Sequence, residues 1–440
     1  MVIETILTIL YTFIIIVIIN KAGFFKIDGV STKILSGIFI LKVLSGTALL
    51  LIFTFYYTNH SSSDIFKYFS DGNILYSAIY QNPLDYLRML TGIDANSEHL
   101  REYYTSMNFW FKDFNYDLYN DNRTIIRLSA FFRLFSFGYL NVHNVFMSFL
   151  SFIGLVATYK VFMKYFEHKK YLLLVAIFLS PSVLFWSSGA LKEGIVVFSL
   201  GILFYSFYNI ITKNIKTIYI IGIVCGAFIL FISKFHVLVA TLPGLVFLTW
   251  YYFSKKKKYT FIKFITIHLL IILMAFFSKY IISGYDFLKI MSYKQHDFVN
   301  MVEETNNTGS YIKIPELQPT AVSLIKNSPG AFLNTFARPH IFEIHNMVSI
   351  LAAFENLIIL SLLVLSLVFY NKNDAKINTG LLLFCLSFTL LLFTLSGLIT
   401  PVLGALVRYK IPALPFLIII FVVLIDVKKI ELILKRKHNE

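Results

Sequence analysis

Charge is scarce in this 440-residue chain: Asp, Glu, Lys and Arg together supply 14% of it, against about 25% in ordinary soluble domains. Cysteine is nearly missing. Cys225 and Cys385 both lie inside apolar runs, which argues against a disulfide framework or a thiolate metal site. There is no Walker A loop and no GxSxG elbow, so direct use of cytoplasmic ATP is not expected. No internal repeat is strong enough to argue a transporter's inverted symmetry. Met1-Val2-Ile3-Glu4 lacks a basic n-region and a small-residue cleavage site, so the first apolar run is expected to remain as a span.

What is present is apolar. Hydrophobic residues make up 57% of the chain, with 46 Phe and 27 Tyr, and the mean hydropathy is +0.72. Runs of about 18 or more apolar residues recur, long enough to cross a hydrocarbon core near 30 Å. The expected fold is an all-α polytopic membrane protein, one transmembrane domain over residues 1–440, with about eleven spans. The net charge of +15 does not indicate nucleic acid, because the lysines concentrate in short connections between apolar runs, such as Lys255-Lys256-Lys257-Lys258 and the 427–440 tail.

Those connections define a topology. The spans expected at about 5–19, 34–56, 139–162, 171–188, a fifth ending before Lys213, a pair parted at Ser233-Lys234-Phe235-His236, an eighth ending near 282, then 348–370, 379–399 and 409–425 place lysines in alternate connections: 21–33, 164–170, 213–216, 255–263, 372–376 and the tail. With an odd number of spans all six fall on one side, the cytoplasm by the positive-inside rule. The N-terminus is then outside and the C-terminus inside. Two long stretches, 57–136 and 284–347, become extracytoplasmic loops. The amphipathic texture of 64–90 suggests helices lying at the membrane interface. Lys42, inside the second span, is expected to snorkel towards its start.

Ionisable groups at membrane depth are costly and often functional. Asp64 and Asp71 are seven residues apart, which puts both on one helical face; there they suit a general base, a divalent-cation site or a solvated interfacial helix. Lys192 and Glu193 close the segment 181–193 between two apolar runs and suit phosphate contact or a snorkelling pair. Lys234 and His236 in a turn suit an anionic head group or an ordinary interface. Arg338, His340, Glu343 and His345 combine a bidentate phosphate binder with acid–base capacity, or form a structured re-entering loop. Glu355, two turns into a span, is expected to pair with Arg338 or Lys192. Arg408 and Tyr409 stand at the outer end of the last span, and lipid phosphate is the natural ligand for an arginine there.

The layout, with Asp64 to Tyr76, Ser180 to Glu193 and Arg408 to Pro415, resembles the GT-C superfamily of membrane glycosyltransferases, over most of the chain. The resemblance implies transfer of a sugar from a polyprenyl-phosphate donor to a glycan, lipid or protein acceptor, at the outer face of a bacterial inner membrane. It implies Asp64 or Asp71 as the base, with Glu193 beside them. Lys192, Lys234, His236, Arg338, His340, Glu343, His345, Arg408 and Tyr409 would face the phosphate and substrate. A divalent cation, Mg or Mn, is the candidate cofactor. Here the large loop follows the second span, not the first, and the adjacent acidic pair common in that superfamily is split, which leaves the identity of the base open. His345-Asn346 before a span also resembles O-antigen ligases and polymerases. A flippase or transporter is the alternative from another class.

Overall fold

The computed structural model describes residues 2–57, 63–112, 119–254, 257–304, 310–344 and 346–438. They form helices joined by short connections, with isolated bridges and no strand among the described residues. Seven helices are long and apolar enough to cross a membrane: Val2–Lys21, Thr32–Tyr56, Leu140–Phe178, Lys192–Thr212, Thr217–Phe253, Met347–Val368 and Thr379–Ile399. The bent pair Leu403–Tyr409 and Leu414–Leu424 makes an eighth. The chain is a multi-pass, all-helical membrane protein.

By length and composition the described residues give seven or eight such helices beside the eleven spans expected, and the two numbers part in three stretches. The expected third span is Leu140–Phe166; after the single turn Glu167–Lys169 the expected fourth begins as Lys170–Phe178 and continues as Pro181–Trp186, and the stretch Leu140–Phe178 counts as one. The expected sixth and seventh fall within Thr217–Phe253, where only Lys234 leaves helical geometry (φ −148°, ψ 79°). Thr217–Phe253 is thus two helical segments joined by a kink inside Ser233 to His236, where the sequence predicts a turn. The expected eighth span is the apolar helix Thr260–Phe276, 17 residues, or about 26 Å, followed by Ser278–Ile281.

Contacts divide the chain into two compact units. The first comprises Met1–Thr158, Leu184–Phe204 and Gly222–Phe235. Its 57–136 stretch is built on Asp64–Gln81, Pro83–Thr91 and Asn122–Ser136. Asn82 ends the first of these and starts the second, its side chain accepting from Leu84 N ahead of a first-turn Pro83. Ile65, Tyr68, Asp71, Leu75 and Ala78 share the buried face of Asp64–Gln81. Gly72 lies directly on Ser129 and Ala130 of Asn122–Ser136, leaving no room for a side chain. Trp110 stacks on Tyr104 with centroids 4.2 Å apart, and the Arg123 and Arg127 guanidinium groups lie 5.0 and 5.4 Å from its ring. Gly154 and Gly201 let two of this unit's helices touch backbone to backbone, a small-residue contact typical of membrane helices.

The second unit comprises Tyr159–Val183, Tyr205–Ile221 and His236–Glu440. Its 284–347 stretch, expected as a loop, carries two helices, Phe287–Glu304 and Ala321–Ala337. Both are bound to the Thr379–Ile399 span: Gln295 Nε2 donates to Leu398 O at 2.6 Å, and Thr335 Oγ1 donates to Phe393 O at 2.8 Å. At the end of Leu414–Leu424, Lys169 Nζ donates to the carbonyls of Val422, Val423 and Ile425 and pairs with Asp374 at 2.8 Å.

Candidate functional site

In the first unit the start of Lys192–Thr212 meets the start of Asn122–Ser136. Lys192 Nζ lies 2.7 Å from Asp121 Oδ2. Burial pushes the Asp121 carboxyl up, but the charges of Lys192 and Lys112, a direct bond from Lys192 and the charge of Lys234 outweigh it and bring it to about 2. The next residue, Glu193, is buried and pairs with Lys234 at 3.3 Å. Lys234 sits where Thr217–Phe253 breaks, and Thr124 Oγ1 secures that break by donating to Ile232 O at 2.7 Å. The Tyr68 ring lies 5.8 Å from Lys192 Nζ, and its hydroxyl donates to Asn122 Oδ1 at 2.9 Å. Asp64, one turn before Tyr68 and half-buried, is close enough for its charge to act on Lys192. Asp64, Lys192, Glu193 and Lys234, distant in sequence, therefore share one cluster with Asp121, Lys112 and Tyr68.

Asp71 does something else. It is fully buried; Asn108 N and Nδ2 both donate to its Oδ1, and Phe109 N to its Oδ2, each at 2.8 Å. Both of its oxygens are engaged with the turn at Asn108, whereas Asp64, on the same helix, lies near Lys192.

Lys42 also departs from expectation. It is wholly buried and does not snorkel: its Nζ donates to Ser187 Oγ at 2.8 Å. Asn144 donates to Gly46 O and accepts from Ala190 N, and Ser148 Oγ donates to Ser188 O at 3.1 Å. These bonds hold the Ser187–Ala190 turn that delivers Lys192 and Glu193.

In the second unit the expected phosphate binders are engaged with neighbours. Arg338 Nε donates to Glu343 Oε1 at 2.7 Å, and His340 Nε2 is 3.4 Å from Glu343 Oε2. Burial raises the Glu343 carboxyl, but the bond from Arg338, the backbone bond from His340 and the charges of both together outweigh it and leave it below the usual carboxylate range. The His236 ring lies 5.7 Å from that of Tyr409, whose neighbour in sequence, Arg408, is half-buried. Glu355 pairs with neither Arg338 nor Lys192; its Oε1 accepts from Ser180 Oγ at 2.6 Å and Ser182 N at 2.9 Å. Lys410, next in sequence, is fully buried and donates to Asn356 Oδ1 at 2.6 Å. His345 lies outside the described residues.

Among the described residues, no three His, Cys, Asp or Glu side chains gather to hold a metal ion. Sequence reasoning missed Asp121. The polar run Asn120-Asp121-Asn122-Arg123, set just before an amphipathic helix, was the available signal. No family model, curated protein or solved structure matches this chain.

Proposed function

We propose that this chain is a membrane-embedded glycosyltransferase of the GT-C kind, moving a sugar from a polyprenyl-phosphate donor to a glycan, lipid or protein acceptor. The reaction takes place at the outer face of a bacterial cytoplasmic membrane, with the N-terminus outside and the C-terminus inside. The observation that carries this reading is the cluster of Asp64, Asp121 and Lys192 at the mouth of an apolar span, with Lys112 and the Glu193–Lys234 pair within its electrostatic reach. Carboxylates beside ammonium groups suit a transfer in which one group accepts a proton while another meets a leaving phosphate.

Asp64 is the base. It takes the acceptor hydroxyl proton as the acceptor oxygen bonds to the sugar's anomeric carbon and the bond from that carbon to the phosphate oxygen breaks. Lys192, at a helix N-terminus where anions are favoured, stabilises the departing phosphate, and Lys112 adds a second positive charge. The bent pair Leu403–Tyr409 and Leu414–Leu424 favours one second reading, a polysaccharide flippase, because discontinuous helices recur at transporter sites.

The test is transfer of a labelled sugar from a synthetic polyprenyl-phosphate donor by the full chain in sealed vesicles. Asp64→Asn is expected to lose about a hundredfold or more in rate, as for removal of a general base. A wild-type rate in Asp64→Asn rejects this site. Lipid movement across the bilayer without sugar transfer selects the flippase. Glu98→Cys, in the same outer segment, is expected to react with an impermeant maleimide from outside only; labelling from the cytosolic side alone rejects the sidedness.

A further inference from the structure

Helix Asn122–Ser136 belongs to the 57–136 stretch, yet its far end lies among membrane spans. Tyr11 OH donates to Phe135 O at 2.7 Å. Tyr11 stands in the span Val2–Lys21, about 14 Å along the helix from Val2. Ile9, Leu10 and Phe13 on either side of it are exposed apolar side chains. The Tyr11 ring meets Phe146 of Leu140–Phe166 with centroids 5.0 Å apart, and Phe146 meets Phe132 at 5.3 Å. That next span starts nearer the beginning of Val2–Lys21, where Asn141 N donates to Glu4 Oε1 at 3.1 Å. Asn122–Ser136 therefore descends past the start of the span that follows it, to the level of lipid-facing side chains.

The open side of this helix changes character in the same direction. Arg123, Arg127, Phe131 and the pair Leu134–Phe135 recur at helical spacing on one face. Arg123 and Arg127 are half-buried, while Phe131, Leu134 and Phe135 are each at least 40% exposed. Arg123 Nε donates to Trp110 O and Arg127 Nε to Met89 O, which fixes both side chains on the 57–136 stretch. Arg133 lies on a different face, over the Tyr76 ring at 4.9 Å, and leaves the stripe apolar below Arg127. Cations first and hydrocarbon after is the order in which an anionic lipid presents its phosphate and its chains. The apolar part is also continuous with Val2–Lys21, a span whose side chains are mostly unburied, which favours lipid over a protein partner as its cover.

We propose that this face of Asn122–Ser136 binds anionic phospholipid of the surrounding bilayer. Phe131, Leu134 and Phe135 lie against the acyl chains. Arg127 and Arg123, one and two turns nearer the helix start than Phe131, meet the phosphate. The helix thus crosses from head groups into hydrocarbon within a stretch that hydropathy assigns to a loop. Its start carries Asp121, the partner of Lys192, so the bound lipid lies one helix length or less from that cluster. The proposal stands whether or not the chain transfers sugar.

The experiment puts a nitroxide on Phe131→Cys, Leu134→Cys or Phe135→Cys in the full chain carrying Cys225→Ala and Cys385→Ala. The chain sits in vesicles of phosphatidylcholine and phosphatidylglycerol. Oxygen, which concentrates in hydrocarbon, is expected to relax all three labels more than a water-soluble nickel chelate does. The reverse is expected at Glu98→Cys, exposed in the same stretch. Nickel dominating at the three positions overturns the proposal, and so does exclusion of both reagents, as under a protein partner. Spin-labelled lipids read the phosphate contact. The excess of immobilised phosphatidylglycerol over phosphatidylcholine is expected to fall in Arg123→Gln/Arg127→Gln and to be kept in Arg123→Lys/Arg127→Lys, which retains both charges. The oxygen pattern at Phe131→Cys checks that the helix stays in place. An undiminished excess in the glutamine variant overturns the arginine contact.

Discussion

Two buried lysines, one in each unit, show how differently a costly charge can be handled. Lys169 is saturated: the carbonyls of Val422, Val423 and Ile425 and the Asp374 carboxylate surround it, four acceptors for an ammonium with three protons. Lys192 has a single carboxylate partner among the described residues, Asp121, whose side chain is 32% exposed, and the face of Tyr68. A saturated cation is fixed in place and ties the end of Leu414–Leu424 to its neighbours. A cation held by one exchangeable carboxylate can take an incoming anion in its place. The first arrangement stabilises the fold, and the second leaves chemistry open.

Lys169→Met gives the sharpest test of that contrast. It takes the buried ammonium from three carbonyls and from Asp374, which keeps only His168 and Asn371, and is expected to cost about 3 to 5 kcal/mol, as when one partner of a buried ion pair is removed; a large drop in thermal midpoint in detergent checks it. Asp71→Ala strands three donors of the Asn108 turn and is expected to cost about 3 kcal/mol, read in the same assay. An unchanged midpoint in that variant means Asp71 does not organise the turn. Asp121→Asn is expected to cost under about 1 kcal/mol at neutral pH, because the pair is partly solvated.

The Asp121 variant also has a pH signature. Its carboxyl lies at about 2 in the fold against an ordinary 3.8, so the unfolded chain binds the proton more readily. Its stabilising contribution is therefore present above pH 3.8 and lost as pH falls towards 2. Acid unfolding of Asp121→Asn is expected to lack that part of the slope. A slope equal to wild type breaks the comparison with Lys169.

Much of the site was legible because membrane-depth charges stand out against an apolar background. Lys192, Glu193, Lys234 and Asp64 could each be picked by that cost alone. Their grouping could not. Lys234 joins Glu193 across 41 residues, and Asp71 is filled by amides 37 and 38 residues away. Nothing in the local pattern distinguishes a carboxylate about to be filled from one left accessible. Lys42 misled for the same reason: a lysine near the start of a span reads as snorkelling until a hydroxyl 145 residues away is seen to hold it.

Hydropathy alone determined that the chain crosses a membrane several times as helices, because a backbone in hydrocarbon must bond to itself and long apolar runs have no better home. Which carboxylate is bonded to the amides of a distant turn, and which lysine is surrounded by carbonyls and which by one carboxylate, were decided only by tertiary packing. Those outcomes depend on donors and acceptors brought from far along the chain, and helical periodicity reports only the neighbours three or four residues away.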